Sequence, residues 1–453
     1  MRSDGGVHAE PPDLRRRAQG MTRDVSKRSK APREPEFTSI EICAGAGGQA
    51  VGLHQAGFGH LALVEIDPYA VKTLELNIKD HQLWAWEREH CDILGADVNE
   101  FDPFDAEVMT KSAGLLRQRG LDLLAGGVPC PPFSHAGKQL GKHDERDLFP
   151  RMLELVEILE PRAVMIENVR GLMDPKFSDY RAWIKRELKR LGYTVRAWGI
   201  LEAADFGVPQ LRPRAILVAF RNDILRGLDY EWPTATHADP VSVLKSLEPS
   251  MRERFEPYFE GVHSERARTA FDQWRKKARA RDAELKGKGG GIAPTLVGGS
   301  KKHGGADLGP SRAKTAWKQL GISGMGVAND IKTCAEKQTE DRDLFGPDGP
   351  MLTVRQAAII QGFPLEWDFS GGKTAQYRQV GNAFPPPVAR AVGKSIIDVL
   401  KAAKERDQSG SQQLDAATRD RNRKSSTPAR PKHRMKSTAA SDRASQGQYE
   451  LPI

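Results

Sequence analysis

From Phe37 to about Phe220 the chain alternates short, mostly apolar runs with stretches of helical periodicity. Ser39–Cys43, Leu61–Val64, Leu121–Ala125, Ala163–Ile166, Val195–Leu201 and Ala215–Phe220 have the length and apolar content of buried strands. Between two of them, Leu148, Met152, Leu155, Val156 and Leu159 fall at helical spacing and predict an amphipathic crossover helix. Repetition of strand, helix and strand predicts an α/β architecture: a doubly wound, mostly parallel sheet covered on both faces. From about Gly227 to Pro350 the periodicity gives way to glycine, proline and charge, which predicts a smaller domain of irregular, mainly β and loop structure. Helical patterning returns at Thr353–Gly362 and, after Pro385-Pro386-Pro387, at Val388–Ala402. The expected organisation is a tail at 1–36, a main domain at 37–227, a second domain at 228–374, a segment returning to the main domain at 375–401, and a tail at 402–453.

No run approaches the ~20 apolar residues of a membrane-spanning helix, and the N-terminus lacks the apolar stretch of a signal peptide. A cytoplasmic protein without membrane contact is expected. Four cysteines, Cys43, Cys91, Cys130 and Cys334, are too few for a disulfide scaffold and form no CxxC pair, so no metal is expected. The formal charge is +9, but it is unevenly placed. Residues 1–36 carry a net +3 and residues 401–453 a net +6, so the 364 residues between them are neutral. Both tails read as disordered and solvated. Within the neutral part, residues 266–318 hold 14 basic and 4 acidic side chains, a local excess that points to a polyanionic partner better than the overall charge does.

In open parallel sheets, ligands bind beyond the carboxyl ends of the strands. The first strand runs into Cys43-Ala44-Gly45-Ala46-Gly47-Gly48, with a helix expected from Gln49. Glycines there allow a tight turn and close backbone approach to a ligand. The second strand ends at Glu65, about 20 residues on, where an acid can hold ribose hydroxyls. Together they point to an adenosine-containing cofactor, NAD or S-adenosylmethionine. The strand Leu121–Ala125 leads to Pro129-Cys130-Pro131-Pro132-Phe133-Ser134, a proline-stiffened loop that would hold a thiol nucleophile at the ligand-binding edge. Ala163–Ile166 ends in Glu167-Asn168, a carboxylate directly after a buried run, where a raised pKa would suit proton donation. Gln210-Leu211-Arg212-Pro213-Arg214 places two arginines at strand spacing, facing one side together.

These residues resemble the DNA (cytosine-5)-methyltransferases, in the family's motif order, over nearly everything from Phe37 to Leu400 except the variable middle. Ala44-Gly45-Ala46-Gly47-Gly48 resembles the S-adenosylmethionine loop, Glu65 the ribose-binding acid, and Asp92-Ile93 the adenine-contacting pair. Pro129-Cys130 with Phe133-Ser134 resembles the nucleophile loop, Glu167-Asn168-Val169 the catalytic glutamate motif, and Gln210, Arg212 and Arg214 the Gln-x-Arg-x-Arg strand. Arg355-Gln356-Ala357 through Gln361-Gly362-Phe363-Pro364, then Gln379-Val380-Gly381-Asn382-Ala383, are similar to the last two motifs. Three positions depart from the pattern: Cys43 replaces an aromatic, Pro131 a glutamine, and Ala383 a small hydroxyl residue.

The resemblance implies a Rossmann-like methyltransferase fold and S-adenosylmethionine held by Cys43 to Gly48, Glu65, Ile66, Asp92, Ile93, Pro129, Asn382 and Ala383. It implies Cys130 as nucleophile, Glu167 as proton donor to the cytosine ring, and Arg214, with Arg212 behind it, at the carbonyl. A flipped-out base in double-stranded DNA follows, with target recognition at 228–350. Ser134, Gln210, Thr295, Leu296, Gly298, Gly299, Lys301, Lys302 and Arg312 are the expected DNA contacts, with Lys314 a further phosphate candidate. The implied setting is a nucleoid-associated monomer paired with a cognate restriction endonuclease. Methylation of tRNA cytosine and an NAD-dependent Rossmann enzyme are the competing readings; the second leaves the Cys130 and Glu167 motifs unexplained.

Overall fold

The computed structural model describes residues 34–129, 147–284, 291–298 and 306–425. Cys130, Ser134, Gly299, Lys301 and Lys302 lie outside the described residues.

Seven strands form one sheet: β1 (Phe37–Ile42), β2 (Phe58–Glu65), β3 (Asp92–Gly95), β4 (Leu123–Gly126), β5 (Ala163–Val169), β6 (Tyr193–Glu202) and β7 (Pro213–Arg221), in the spatial order β3-β2-β1-β4-β5-β7-β6. The first five are parallel to their neighbours, whereas β7 runs antiparallel to both β5 and β6. Every residue of β1 is buried, as a central strand covered on two faces requires. Chain order reverses between β1 and β4, so the ends of these strands open a crevice at the topological switch point.

The first six helices are α1 (Gly48–Ala56), α2 (Pro68–Asp80), α3 (Ala85–His90), α4 (Ala113–Arg119), α5 (Phe149–Leu159) and α6 (Ser178–Arg190). They are followed by α7 (Val243–Phe255), α8 (Ser264–Glu284), α9 (Ser311–Gln319), α10 (Ile331–Lys337), α11 (Glu340–Asp343), α12 (Val354–Gln361), α13 (Lys373–Asn382) and α14 (Pro386–Ser425). One sheet face packs on α5 and α6 through Met152, Leu155, Val156, Ile184 and Leu188. The other packs on α1 and α14 through Leu53, Val388, Val392 and Ile396. Two glycines make that second contact possible. A Cβ on Gly48 would lie 2.3 Å from the Phe384 carbonyl, and one on Gly52 2.4 Å from that of Pro386.

Three expectations need correction. The strand β3 has no apolar-run signal, because at the sheet edge only Asp92 of its four residues is buried. The middle region is mainly helical rather than β and loop; outside the sheet, the described residues there show only the isolated bridges Gln210↔Ala293 and Ser323↔Met351. Its longest helix, α8, buries Ala267, Phe271, Trp274 and Ala278, a helical stripe that dense Arg and Lys on the other face conceal. Of these, Ala267, Phe271 and Trp274 join a third core shared with α7, α9, α12 and α13. Finally, α14 continues past Ala402 into the segment expected to be disordered. From Ala402 to Ser425 only Gly410 interrupts a run without proline that is rich in Ala, Lys, Arg and Gln, all strong helix formers. The chain divides into two compact units, the second beginning at Lys404.

Candidate active site

The loop after β1 turns back on itself through left-handed residues at Cys43, Gly45 and Gly47. Its Ala44 N–H donates to the Val64 carbonyl at 3.0 Å, which ties the turn to the end of β2. There Glu65 accepts from the Gly45 N–H at 2.7 Å and from the Asp67 N–H at 2.8 Å, so two backbone donors orient its carboxylate. Asp67 in turn caps α2 through the Tyr69 N–H. Between this loop and the end of α13 lies a cleft of about 720 Å³. Cys43, Ala44, Gly45, Ala46, Gly48, Glu65, Ile66, Pro129, Asn382 and Ala383 from the expected cofactor set line it.

Glu167, near the end of β5, reaches the same cleft. Its Oε1 accepts from Arg214 Nε at 2.8 Å, and both side chains are 13% exposed. Burial pushes the Glu167 carboxyl above its usual range, against the opposing pull of the Arg214 and Arg212 charges. Its other oxygen faces Gly127, where a Cβ would lie 3.2 Å away. The next residue fixes the neighbouring loop: Asn168 Nδ2 donates to the Val128 carbonyl at 2.7 Å. The chain leading to Cys130 is therefore pinned two residues upstream, beside the glutamate. Across that loop, the Leu148 N–H donates to the Pro129 carbonyl and draws its two ends together.

Arg212 is only 1% exposed and stands behind this pair. It donates to the carbonyls of Leu296 at 2.6 Å, Gly381 at 2.7 Å and Ala383 at 3.0 Å. Desolvation lowers its pKa to about 9. One guanidinium thus ties two chain segments, that of Leu296 and the end of α13, to its own, and it does not reach the cleft lining itself.

Several expected residues stand elsewhere. Asp92 is 4% exposed and accepts from the Thr110 hydroxyl, the backbone N–H groups of Lys111 and Ser112, and the Ser112 hydroxyl. Ile93 packs against the third core. Neither lines the cleft; Asp97 and Val98, beyond the end of β3, do. The physical reason is that Asp92 begins the strand, while ligands meet the strand's carboxyl end. Gln210 and Leu296, expected to contact DNA, are fully buried and bound to each other, the Leu296 N–H donating to Gln210 Oε1 at 2.7 Å. Gly298 packs on α13, where a Cβ would lie 2.2 Å from Asn382 Oδ1. Thr295 donates its hydroxyl to the Leu211 carbonyl, Arg312 is exposed, and Lys314 pairs with Asp307 at 2.7 Å.

Among the lining residues with no candidate role from the sequence are Glu41 and Gln49. Glu41 on β1 is 1% exposed, its Oε2 has no hydrogen-bond partner, and burial raises its pKa well above the ordinary value. Gln49, at the start of α1, is buried with both amide atoms unpartnered. Beside them the Cys43 thiol is pushed up to about 12 by burial and by the charges of Glu65, Glu41 and Asp97, so it is no nucleophile. Among the described residues no group of His, Cys, Asp and Glu could hold a metal ion, and no helix is long and apolar enough to cross a membrane.

A Rossmann-like sheet with a glycine loop at its switch point and a buried Glu–Arg pair at the next strand ends defines a methyltransferase fold. The chain belongs to the C-5 cytosine-specific DNA methylase family, whose model matches residues 37–398, and it is a DNA (cytosine-5)-methyltransferase. It is 46% identical to the Type II methyltransferase M.NaeI of Lentzea aerocolonigenes, over 79% of this chain and 74% of that one. Identity is 43% to the Type II methyltransferase M.NgoMIV of Neisseria gonorrhoeae, covering 81% and 99% of the two chains. With the Type II methyltransferase M.Eco47II of Escherichia coli it is 32%, covering 82% and 81%.

Proposed function

We propose that this chain transfers a methyl group from S-adenosylmethionine to carbon-5 of cytosine in a specific sequence of double-stranded DNA. Its place is the modification half of a Type II restriction–modification pair, as the names of its relatives suggest. The observation that carries the mechanism is the buried Glu167–Arg214 pair, set beside the pinned approach to Cys130, with Glu167 opening on the cleft.

When bound, S-adenosylmethionine supplies an electrophilic methyl group. The cleft suits it. The left-handed glycine turn admits close backbone approach, Glu65 stands where ribose hydroxyls would lie, and Glu41 and Gln49 offer buried polar atoms that lack partners. Asp97 and Val98 replace Asp92 and Ile93 as the pair at the adenine. Carbon-5 of cytosine is a weak nucleophile, so Cys130 thiolate adds to carbon-6 and drives electron density toward carbon-5. Protonated Glu167 donates at N3, and Arg214 holds the carbonyl oxygen. Once carbon-5 carries the methyl group, loss of its proton, departure of Cys130 and return of the N3 proton to Glu167 would restore the ring. A stacked base is out of reach, so the target cytosine is flipped into the site. Arg212 positions Arg214, the Leu296 segment and the end of α13. Thr295, Arg312, Lys301, Lys302 and Ser134 are the DNA contacts this reading retains.

Two measurements test these assignments. Methyl transfer is expected to duplex DNA, with tRNA unmodified; transfer confined to tRNA would overturn the substrate. Asp97→Asn is expected to weaken S-adenosylhomocysteine binding about tenfold, the worth of one charge-assisted hydrogen bond. Asp92→Asn should leave that affinity unchanged while lowering stability by ~1–3 kcal/mol, because an amide cannot accept all four of its present donors. Calorimetric titration and thermal unfolding separate the two, and the reverse pattern would restore Asp92 to the site.

A further inference from the structure

The titratable side chains of the cofactor cleft are mostly acidic. Glu41, Glu65, Asp67, Asp97 and Glu167 line it, against a single cation among the described lining residues, Arg378 on α13. Three of the five are engaged with backbone N–H groups, Glu65, Asp67 and Asp97, and Glu167 has its own arginine outside the lining. Arg378 has no such answer. Its Nε is buried and lacks any hydrogen-bond partner, although a guanidinium is always charged and carries only donors. Such a group costs free energy until an acceptor meets it.

Its position is held from both sides. The Arg378 carbonyl lies 2.8 Å from where a Cβ on Gly298 would be, so the recognition segment packs directly on this turn of α13. Five and six residues on, Ala383 and Phe384 touch Gly48 at the start of α1, which brings the end of α13 against the glycine loop and the buried Glu41 strand.

Resting on the cofactor reading above, we infer that Arg378 binds the carboxylate of the amino-acid end of S-adenosylmethionine. That end carries one anion and one ammonium, and the cleft provides one unpartnered cation and, in Glu41, one unpartnered carboxylate oxygen. A planar guanidinium fits a carboxylate with two parallel donors, which a lysine cannot reproduce.

The test compares two ligands that differ in this end alone. S-Adenosylhomocysteine carries the amino-acid group, whereas 5′-methylthioadenosine lacks it. Arg378→Gln is expected to weaken S-adenosylhomocysteine binding roughly ten- to hundredfold, in line with a charge-assisted hydrogen bond. Methylthioadenosine should bind the variant as it binds the wild type, which also shows the cleft is intact. Arg378→Lys should recover part of the loss. Equal binding of S-adenosylhomocysteine to wild type and Arg378→Gln overturns the inference, as does an equal loss of both ligands. A loss of DNA affinity with cofactor affinity unchanged overturns it in favour of a phosphate contact. Wild-type protein that binds neither ligand would instead sink the cofactor reading, and this inference with it.

Discussion

Cys130→Ala is expected to reduce methyl transfer to the assay background, a loss on the order of a millionfold for removal of an essential nucleophile. The magnitude follows from the chemistry. Without addition at carbon-6 the cytosine ring offers carbon-5 almost no electron density, and no described residue beside Glu167 could substitute. Cys43 is near in the fold, but burial and three surrounding carboxylates suppress its thiolate. Cofactor binding should survive within about twofold, because the cleft is built by the β1 loop, Glu65, Asp97 and α13. Stopped-flow or endpoint methylation assays, paired with calorimetric titration of S-adenosylhomocysteine, check both halves. Substantial residual turnover would refute the nucleophile assignment.

Glu167→Gln is expected to lower kcat by about a hundredfold to ten-thousandfold, the usual span for a general acid. The isosteric amide keeps a donor for the ring and the contact with Gly127, so folding and cofactor affinity should change little. The pH profile distinguishes a chemical role from a structural one. Burial raises the Glu167 pKa, so the protonated, donating form persists to higher pH than for an ordinary carboxyl. Wild-type kcat should therefore fall as pH rises through that raised value, and the Gln variant should lack this limb. An unchanged limb in the variant would assign the titration to another group.

Most of the sheet was legible because its strands are buried on both faces and so read as apolar runs. β3 is not, having only Asp92 buried among its four residues; the resemblance alone puts Asp92-Ile93 at the adenine, whereas the strand begins at Asp92 and the acid lining the cleft beyond its end is Asp97. The middle region hid its helices for a different reason. In α8 the buried stripe of Ala267, Phe271, Trp274 and Ala278 is spaced for a helix, but arginines and lysines occupy half of the positions between. Its core also depends on contacts with α12 and α13, distant in sequence.

At the site, Glu167 could be recognised as a carboxylate ending a buried run, an arrangement that demands compensation. Glu41 carries the same signal inside the first strand, and consistent use of that rule would have found it. Gln210 and Leu296 were misjudged because a motif reports that residues come together, not whether they face solvent. Arg378 had no signal in a single chain; only the folded cleft shows that it stands as the one cation among the described lining residues, beside acids.

The central claim is that this enzyme methylates carbon-5 of cytosine in a defined DNA sequence. Expression in a host lacking cytosine methylation, followed by bisulfite sequencing of the host genome, measures activity, product and context at once. The account predicts protected cytosines at one recurring sequence, present with the wild-type enzyme and absent with Cys130→Ala. Uniformly converted cytosines from cells holding folded wild-type protein, or protection that persists in the Cys130→Ala strain, would contradict it.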